Sequence, residues 1–281
     1  MSKNFQELTI KDSFMFAAVM SDETQCRELL ELVLEIKILQ VKVLTEKTIT
    51  YRPDHHGVRL DVIAEEKGKR RRFNVEMQVK RKADLPWRSR YYHSQLDMDA
   101  LLAGKSYDHL PDTYVIFICD FAWLPDHLYR YTYETICREN GRPLGQGQTT
   151  VFLSTKGKND ADVPKALINF LKYVGNPETF PQDFEGDRFV AQVESRVQLI
   201  KANRDWEARF MLLELMLKDE RQEGLLAGRR EDIFQLLEMY GEIPEDIRSK
   251  INAQTDENVL KKWHIAAAKA SSVDEFRDHM Q

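Results

Sequence analysis

The chain has 281 residues, roughly twice the usual domain of about 150, so one large domain with an appendage or two domains are expected. An apolar fraction of 42% suffices for a packed core, and with 31% charged residues it excludes a wholly disordered or collagen-like chain. No apolar run approaches the roughly 18 residues of a membrane-spanning helix, and the polar stretch from Ser2 to Lys11 has no secretory h-region. Three scattered cysteines (Cys26, Cys119, Cys137) make neither a disulfide framework nor a CxxC metal site, so a reduced, cytoplasmic protein without membrane contact is expected.

Thr24 to Glu35 carries Leu29, Leu30, Leu32 and Val33 at helical spacing, with Ser21 or Asp22 as the N-cap. Ile38 to Val43 reads as a strand and Thr45 to Tyr51 as extended chain, before turn residues Pro53, Asp54 and Gly57. Val58 to Ala64 and Phe73 to Val79 alternate and hold β-branched residues; with charged Glu65 to Lys69 between them they form a β-hairpin. Trp87 to Leu102 is helical and breaks at Gly104. Tyr114 to Cys119 is a strand covered on both faces, followed by strands at Tyr129 to Thr135 and Thr149 to Leu153. Beyond Gly157 the chain turns helical: Pro164 to Val174, a loop from Gly175 to Gly186, Phe189 to Asp219, Ile233 to Tyr240 and Asn258 to Lys269. Gly224 and Gly228 should interrupt what would otherwise be one long rod. The order gives a mixed α/β core over 1–158, a helix and linker over 159–186, and a charged α-helical region over 187–281.

Net charge is −5, yet Lys67 to Arg90 holds ten basic residues against Glu76 and Asp84, a window of +8 that leaves −13 elsewhere. A basic block inside an acidic protein reads as a footprint for a polyanion, or as a solvated hairpin edge.

Within this hairpin, side chains alternate, so Asp61 shares a face with Arg59 and Ile63, and Glu76 shares one with Asn74, Gln78 and Lys80. A turn centred on Gly68-Lys69 sets Asp61 directly opposite Glu76, with Cβ atoms about 5 Å apart. Two readings fit such an acid pair. A divalent cation draws the carboxylates together, or an exposed face pairs its acids with neighbouring arginines.

An Asp in one strand and Glu-x-Gln in the next resembles the PD-(D/E)xK nuclease signature in a Glu-x-Gln variant. More narrowly, the chain resembles the recombination-promoting nuclease and transposase family. Seven segments carry that likeness in order, among them Lys11 to Phe16, Gly57 to Val62, Asn74 to Gln78, Leu85 to Tyr92, Gly104 to Tyr107, Tyr114 to Cys119 and Val151 to Gly157.

The resemblance implies a restriction-endonuclease-like core, a mixed sheet of four or five strands flanked by helices, and a metal-dependent DNA endonuclease of recombination or mobile elements. It implies Asp61 and Glu76 as ligands of Mg²⁺ (or Mn²⁺ or Ca²⁺), with Gln78 in the slot of the usual catalytic lysine. Glutamine donates hydrogen bonds without charge, so either activity is weak, leaving a DNA-binding or protein-interaction module, or another cation stands in. Lys80 is favoured on strand parity, with Arg88 and Arg90 as alternatives. On the helix, Arg88, Arg90 and Tyr92 suit DNA-backbone contact, one of Tyr91 and Tyr92 being core, and Arg70, Arg71 and Arg72 at the hairpin tip suit flanking phosphates. Glu28 or Glu31 would supply a third acid. Asp54-His55-His56 reads as an exposed turn, Asp97 and Asp99 as solvent-facing or capping their helix, and Cys119 as a buried small hydrophobe. Trp206, Phe210, Leu213 and Leu217 form a core or partner-helix stripe, and the C-terminal helices are the expected surface for any homo-oligomer.

Overall fold

A computed structural model describes residues 3–45, 48–49, 58–59, 61–101, 103–179 and 186–280. Two compact units divide the chain, Met1–Glu207 and Ala208–Gln281.

The first unit is built on a mixed six-stranded sheet. Its strands are β1 (Val41–Thr45), β4 (Val62–Glu66), β5 (Arg71–Gln78), β6 (Asp112–Cys119), β7 (Arg130–Tyr133) and β8 (Gln148–Ser154), in the order β1-β4-β5-β6-β8-β7. Two short strands, β2 (Thr48–Ile49) and β3 (Val58–Arg59), pair separately. The main sheet thus holds six strands against the expected four or five, with β7 closing antiparallel on the outer edge of β8. The central strands β5, β6 and β8 run parallel. Their apolar runs are covered on both faces, as such strands require: Phe73, Val75, Met77 and every residue from Val115 to Cys119 are buried.

The hairpin β4–β5 has the expected register. Val62 faces Val75, Ile63 faces Asn74 and Ala64 faces Phe73. Gly68 takes φ +82° in the turn, a conformation that suits a residue without a Cβ.

Helix α3 (Leu85–Ala100) carries the chain from β5 to β6, with Pro86 in its first turn. It buries Leu85, Tyr92 and Leu96 against Ile63, Val115, Phe117 and Cys119. Helices α1 (Ser13–Met20), α2 (Glu23–Leu34), α4 (Lys165–Gly175) and α5 (Arg188–Lys201) pack on one another and against β1 and β5. α2 starts at the expected cap, where the Asp22 carboxylate accepts from the Thr24 and Gln25 N–H groups.

α1 was not anticipated. Phe14 to Met20 is apolar on every side and wholly buried, so no 3.6-residue stripe betrays it. The first unit also extends further than the expected core, because α4 and α5 bury Leu167, Phe170, Leu171, Val190, Val193 and Val197 within it.

The boundary between the units falls within α6 (Arg204–Glu238), which runs unbroken through Gly224 and Gly228. The expected interruption is absent, since a helical glycine costs only about 1 kcal/mol relative to alanine and 35 residues absorb it. The break falls earlier instead, at Ala202–Asn203, where the Asn203 side chain accepts from the Asp205 N–H. In the second unit α7 (Glu245–Ala253), α8 (Glu257–Lys269) and α9 (Val273–Asp278) enclose a core of Ile233, Phe234, Leu237, Ile247, Ile251, Leu260, Trp263 and Phe276. Among the described residues, no helix is long and apolar enough to cross a membrane.

Candidate active site

Asp61 immediately precedes β4 and Glu76 lies near the end of β5, so the hairpin register sets them opposite one another. Their contact is reciprocal. The Asp61 N–H donates to Glu76 Oε1 at 3.1 Å, and the Met77 N–H donates to Asp61 Oδ2 at 3.0 Å. Asn74 Nδ2 is a second donor to Glu76 Oε1, at 3.3 Å. Glu76 is only 2% exposed. Burial, and next the Asp61 carboxylate, push its carboxyl up to about 8 against the lowering pull of the Asp61 N–H, Arg88 and Asn74. The arrangement is one that a fold would not adopt for stability.

Arg88 reaches into the pair from the first turn of α3. Its Nη1 donates to Gln78 Oε1 at 3.3 Å, its Nη2 to Glu76 Oε2 at 3.5 Å, and its Nε and Nη2 to the Tyr92 hydroxyl at 3.0 and 2.5 Å. The i, i+4 spacing makes Tyr92 the support of Arg88. Tyr92 is 5% exposed and stacks on Phe117 at 6.1 Å. Burial and the Glu76 carboxylate push its hydroxyl up to about 12. This corrects the expectation that Tyr92 contacts DNA: its ring is core, and its role here is to hold a guanidinium.

Lys80 is also corrected as to position. β5 ends at Gln78, so strand parity does not carry to Lys80, which is exposed beyond it. Arg90 is exposed on α3. Glu31 accepts from Arg27 at 2.8 Å and from the Ile38 N–H at 2.9 Å, and Glu28 lies 3.8 Å from Arg27, so these contacts bring neither acid to the pair.

The hairpin-tip arginines are largely engaged within the protein, contrary to the expectation that they await phosphates. Arg70 donates to the Asp108 carbonyl at 2.6 Å. Arg71 pairs with buried Glu66 at 3.2 Å, and Arg72 bridges Glu65 and Asp99, each at 2.8 Å. Asp99 is therefore engaged rather than turned freely to solvent, and so is Asp97, which accepts from Gln148 at 3.2 Å and whose carboxyl burial raises. Cys119 is buried as expected, which pushes its thiol up to about 12. Asp54, His55 and His56 lie outside the described residues.

One group went unnamed from sequence. Asp120 follows β6, and its N–H donates to the Gln78 carbonyl at 2.9 Å. Its carboxylate accepts from Lys11 at 2.7 Å, Lys156 at 3.0 Å and Thr155 at 2.8 Å. Partial burial acts upward on that carboxyl, but these three donors outweigh it and hold it below its ordinary value. The signal was available: Asp120 is the first polar residue past a buried parallel strand, and ligands of open α/β sheets gather at such carboxyl ends.

Both acids offer hard oxygen donors, as Mg²⁺ and its neighbours take, and a cation between them would relieve their mutual repulsion. Among the described residues there is no cluster of three or more histidine, cysteine or acidic ligands, so waters or a substrate phosphate would complete any shell.

A mixed sheet with two carboxylates interlocked across a hairpin, flanked by helices, is the architecture of a PD-(D/E)XK nuclease. The model of the PD-(D/E)XK nuclease family transposases matches residues 13–183, more than half of the chain, and the chain belongs to that family. No curated protein and no solved structure matches it. Membership supports a nuclease or transposition-related role and implies DNA as the substrate class.

Proposed function

We propose that the chain is a metal-dependent DNA endonuclease that cuts backbone phosphodiester bonds in recombination or transposition. The observation that carries the reading is the Asp61–Glu76 interlock capped by Arg88: a half-buried acid is held against a buried one at a cost in stability. Asp61 and Glu76 would hold the divalent cation, Mg²⁺ first, with Mn²⁺ or Ca²⁺ as alternatives. When bound, such an ion supplies an activated water and charge neutralisation at the phosphate.

The protein's own groups do the rest. Gln78 presents an amide where a lysine would bring charge, and its Oε1 already accepts from Arg88. Arg88 therefore takes over the cationic role: its guanidinium lies within reach of both Glu76 and Gln78, and it can stabilise negative charge developing on a phosphate. Tyr92 fixes the orientation of that guanidinium. Lys80 and Arg90, exposed nearby, are suited to neighbouring phosphates rather than to the reacting one. Neutral Gln78 favours a second reading, a module that binds DNA or a protein without cutting.

Purified protein incubated with supercoiled plasmid and Mg²⁺, Mn²⁺ or Ca²⁺ decides between these. Nicking by the wild type that disappears in an Asp61→Ala, Glu76→Ala variant is the expected result. Nicking that survives in the double variant would remove these two residues from the chemistry. A wild type inert with all three ions, yet able to retain DNA, would establish the second reading.

A further inference from the structure

The basic block of the sequence separates into two parts. Its Arg70–Arg72 end is tied into ion pairs and a carbonyl contact, whereas Lys80, Lys82 and Arg90 are exposed and, among the described residues, have no acidic partner. The same short segment holds Trp87, which is 62% exposed and three residues before Arg90 on α3. A tryptophan this open is unusual, because its ring is the largest apolar surface a side chain can leave in water. Val79, at the start of the same segment, is also exposed.

Trp87 lies one residue along α3 from the group that touches the carboxylate pair. Trp87 directly precedes Arg88, whose guanidinium reaches Glu76 and Gln78, while the helical turn points the ring outward on the stripe of Arg90 and Ser94. From Val79 to Arg90 the segment carries Lys80, Arg81, Lys82, Arg88 and Arg90 against Asp84 alone. An exposed aromatic framed by unpaired cations is how sequence-tolerant sites engage single-stranded nucleic acid: the cations follow the phosphates and the ring receives a base. In an intact duplex every base is stacked on its neighbours, so the ring would find no face to receive.

Resting on the nuclease reading above, we propose that Trp87, framed by Lys80, Lys82 and Arg90, is a base-stacking platform, and that the substrate carries an unpaired base next to the phosphate that is cut. Single strands, overhangs, forks and the locally opened stretches of an underwound plasmid belong to this class, and relaxed continuous duplex does not. The local charge favours DNA over a protein as the occupant.

The test is binding without cleavage, by fluorescence anisotropy of a labelled oligothymidylate and of a duplex of equal length, at moderate salt without divalent ions. The wild type is expected to hold the single strand more tightly. Trp87→Ala should lose about 5- to 150-fold on the single strand, the range that stacking of one base spans, and less than about twofold on the duplex. Trp87→Phe should recover most of the loss, which a purely structural role at so exposed a position would not produce. Equal affinities of Trp87→Ala and wild type for the single strand, an equal loss on both oligonucleotides, or no binding of either by the wild type would each overturn the proposal. A wild type that cleaves neither plasmid nor single-stranded oligonucleotide with Mg²⁺, Mn²⁺ or Ca²⁺, while Trp87 still governs single-strand affinity, would defeat the nuclease reading alone. Cleavage of duplex and single strand at equal rates, unchanged in Trp87→Ala, would defeat the platform alone.

Discussion

Glu76→Gln should stabilise the protein while abolishing cleavage. The Glu76 carboxyl is pushed from 4.5 to about 8 by burial and by Asp61. Between those two values the unfolded chain is ionised at this position and the folded one holds a proton. Folding then takes up a proton, and stability falls as pH rises through this window. The cost is about 1 kcal/mol at pH 5 and about 3 kcal/mol at pH 7, and it levels off above pH 8. Glutamine is neutral throughout, and its Oε1 can still accept from the Asp61 N–H and Asn74. Against this, its amide nitrogen takes the place of the oxygen that faces Arg88, a misplaced donor costing about 1 kcal/mol.

The net expectation at pH 7 is a gain of about 1–3 kcal/mol, read from urea unfolding in a chelator. The gain should shrink towards zero near pH 5. Adding Mg²⁺ should stabilise the wild type, by about 1.4 kcal/mol at ten times its dissociation constant, and leave Glu76→Gln unmoved. A variant less stable than wild type at pH 7, or a difference independent of pH, would refute the argument that this carboxylate is held against its own folding preference.

Arg71→Ala with Arg72→Ala should act on stability rather than on DNA. It strips buried Glu66 of its closest cation and cuts the tie from β5 to Asp99 on α3, at a cost of about 2–4 kcal/mol seen as a lower urea midpoint, with single-strand affinity within about twofold of wild type. A large loss of affinity without loss of stability would return these arginines to the DNA surface. His93, buried between the Thr113 and Thr150 hydroxyls at 2.7 and 3.0 Å, is held by burial down to about 4. Its neutral form therefore contributes stability that is present above pH 6.5 and lost as pH falls towards 4, up to about 3 kcal/mol. His93→Gln should flatten the acid limb of the stability profile over that interval, and parallel profiles would contradict it.

The hairpin was legible because its information is local. Alternation fixed which side chains share a face, and charged Glu65 to Lys69 fixed the turn, so the opposition of Asp61 and Glu76 followed by counting. The same locality misled at the basic block. Arg71 and Arg72 look like free charges along the chain, and their partners Glu66 and Asp99 become visible only when β5 pairs with β4 and α3 folds back over the sheet. Asp120 escaped for the same reason: Lys11 and Lys156, 145 residues apart, meet it only at the ends of strands that the sequence does not order.

Strand parity assigned the missing cation to Lys80, and parity is valid only while the strand lasts. β5 ends at Gln78, where the Gln78 carbonyl accepts from the Asp120 N–H, and the chain then leaves the sheet for α3. A cation replacing a lysine at position 78 must therefore come from the next element that crosses the same face. α3 does so, and Arg88 is the residue of its first turn that points back at Glu76. A guanidinium there differs from a lysine in kind. It cannot lose its proton, and its planar fork engages Gln78, Glu76 and Tyr92 together, where an ammonium would act as a point charge. On the proposed nuclease reading, charge is thereby restored to the site without a titratable group at position 78, and the buried Tyr92 hydroxyl holds the guanidinium that supplies it.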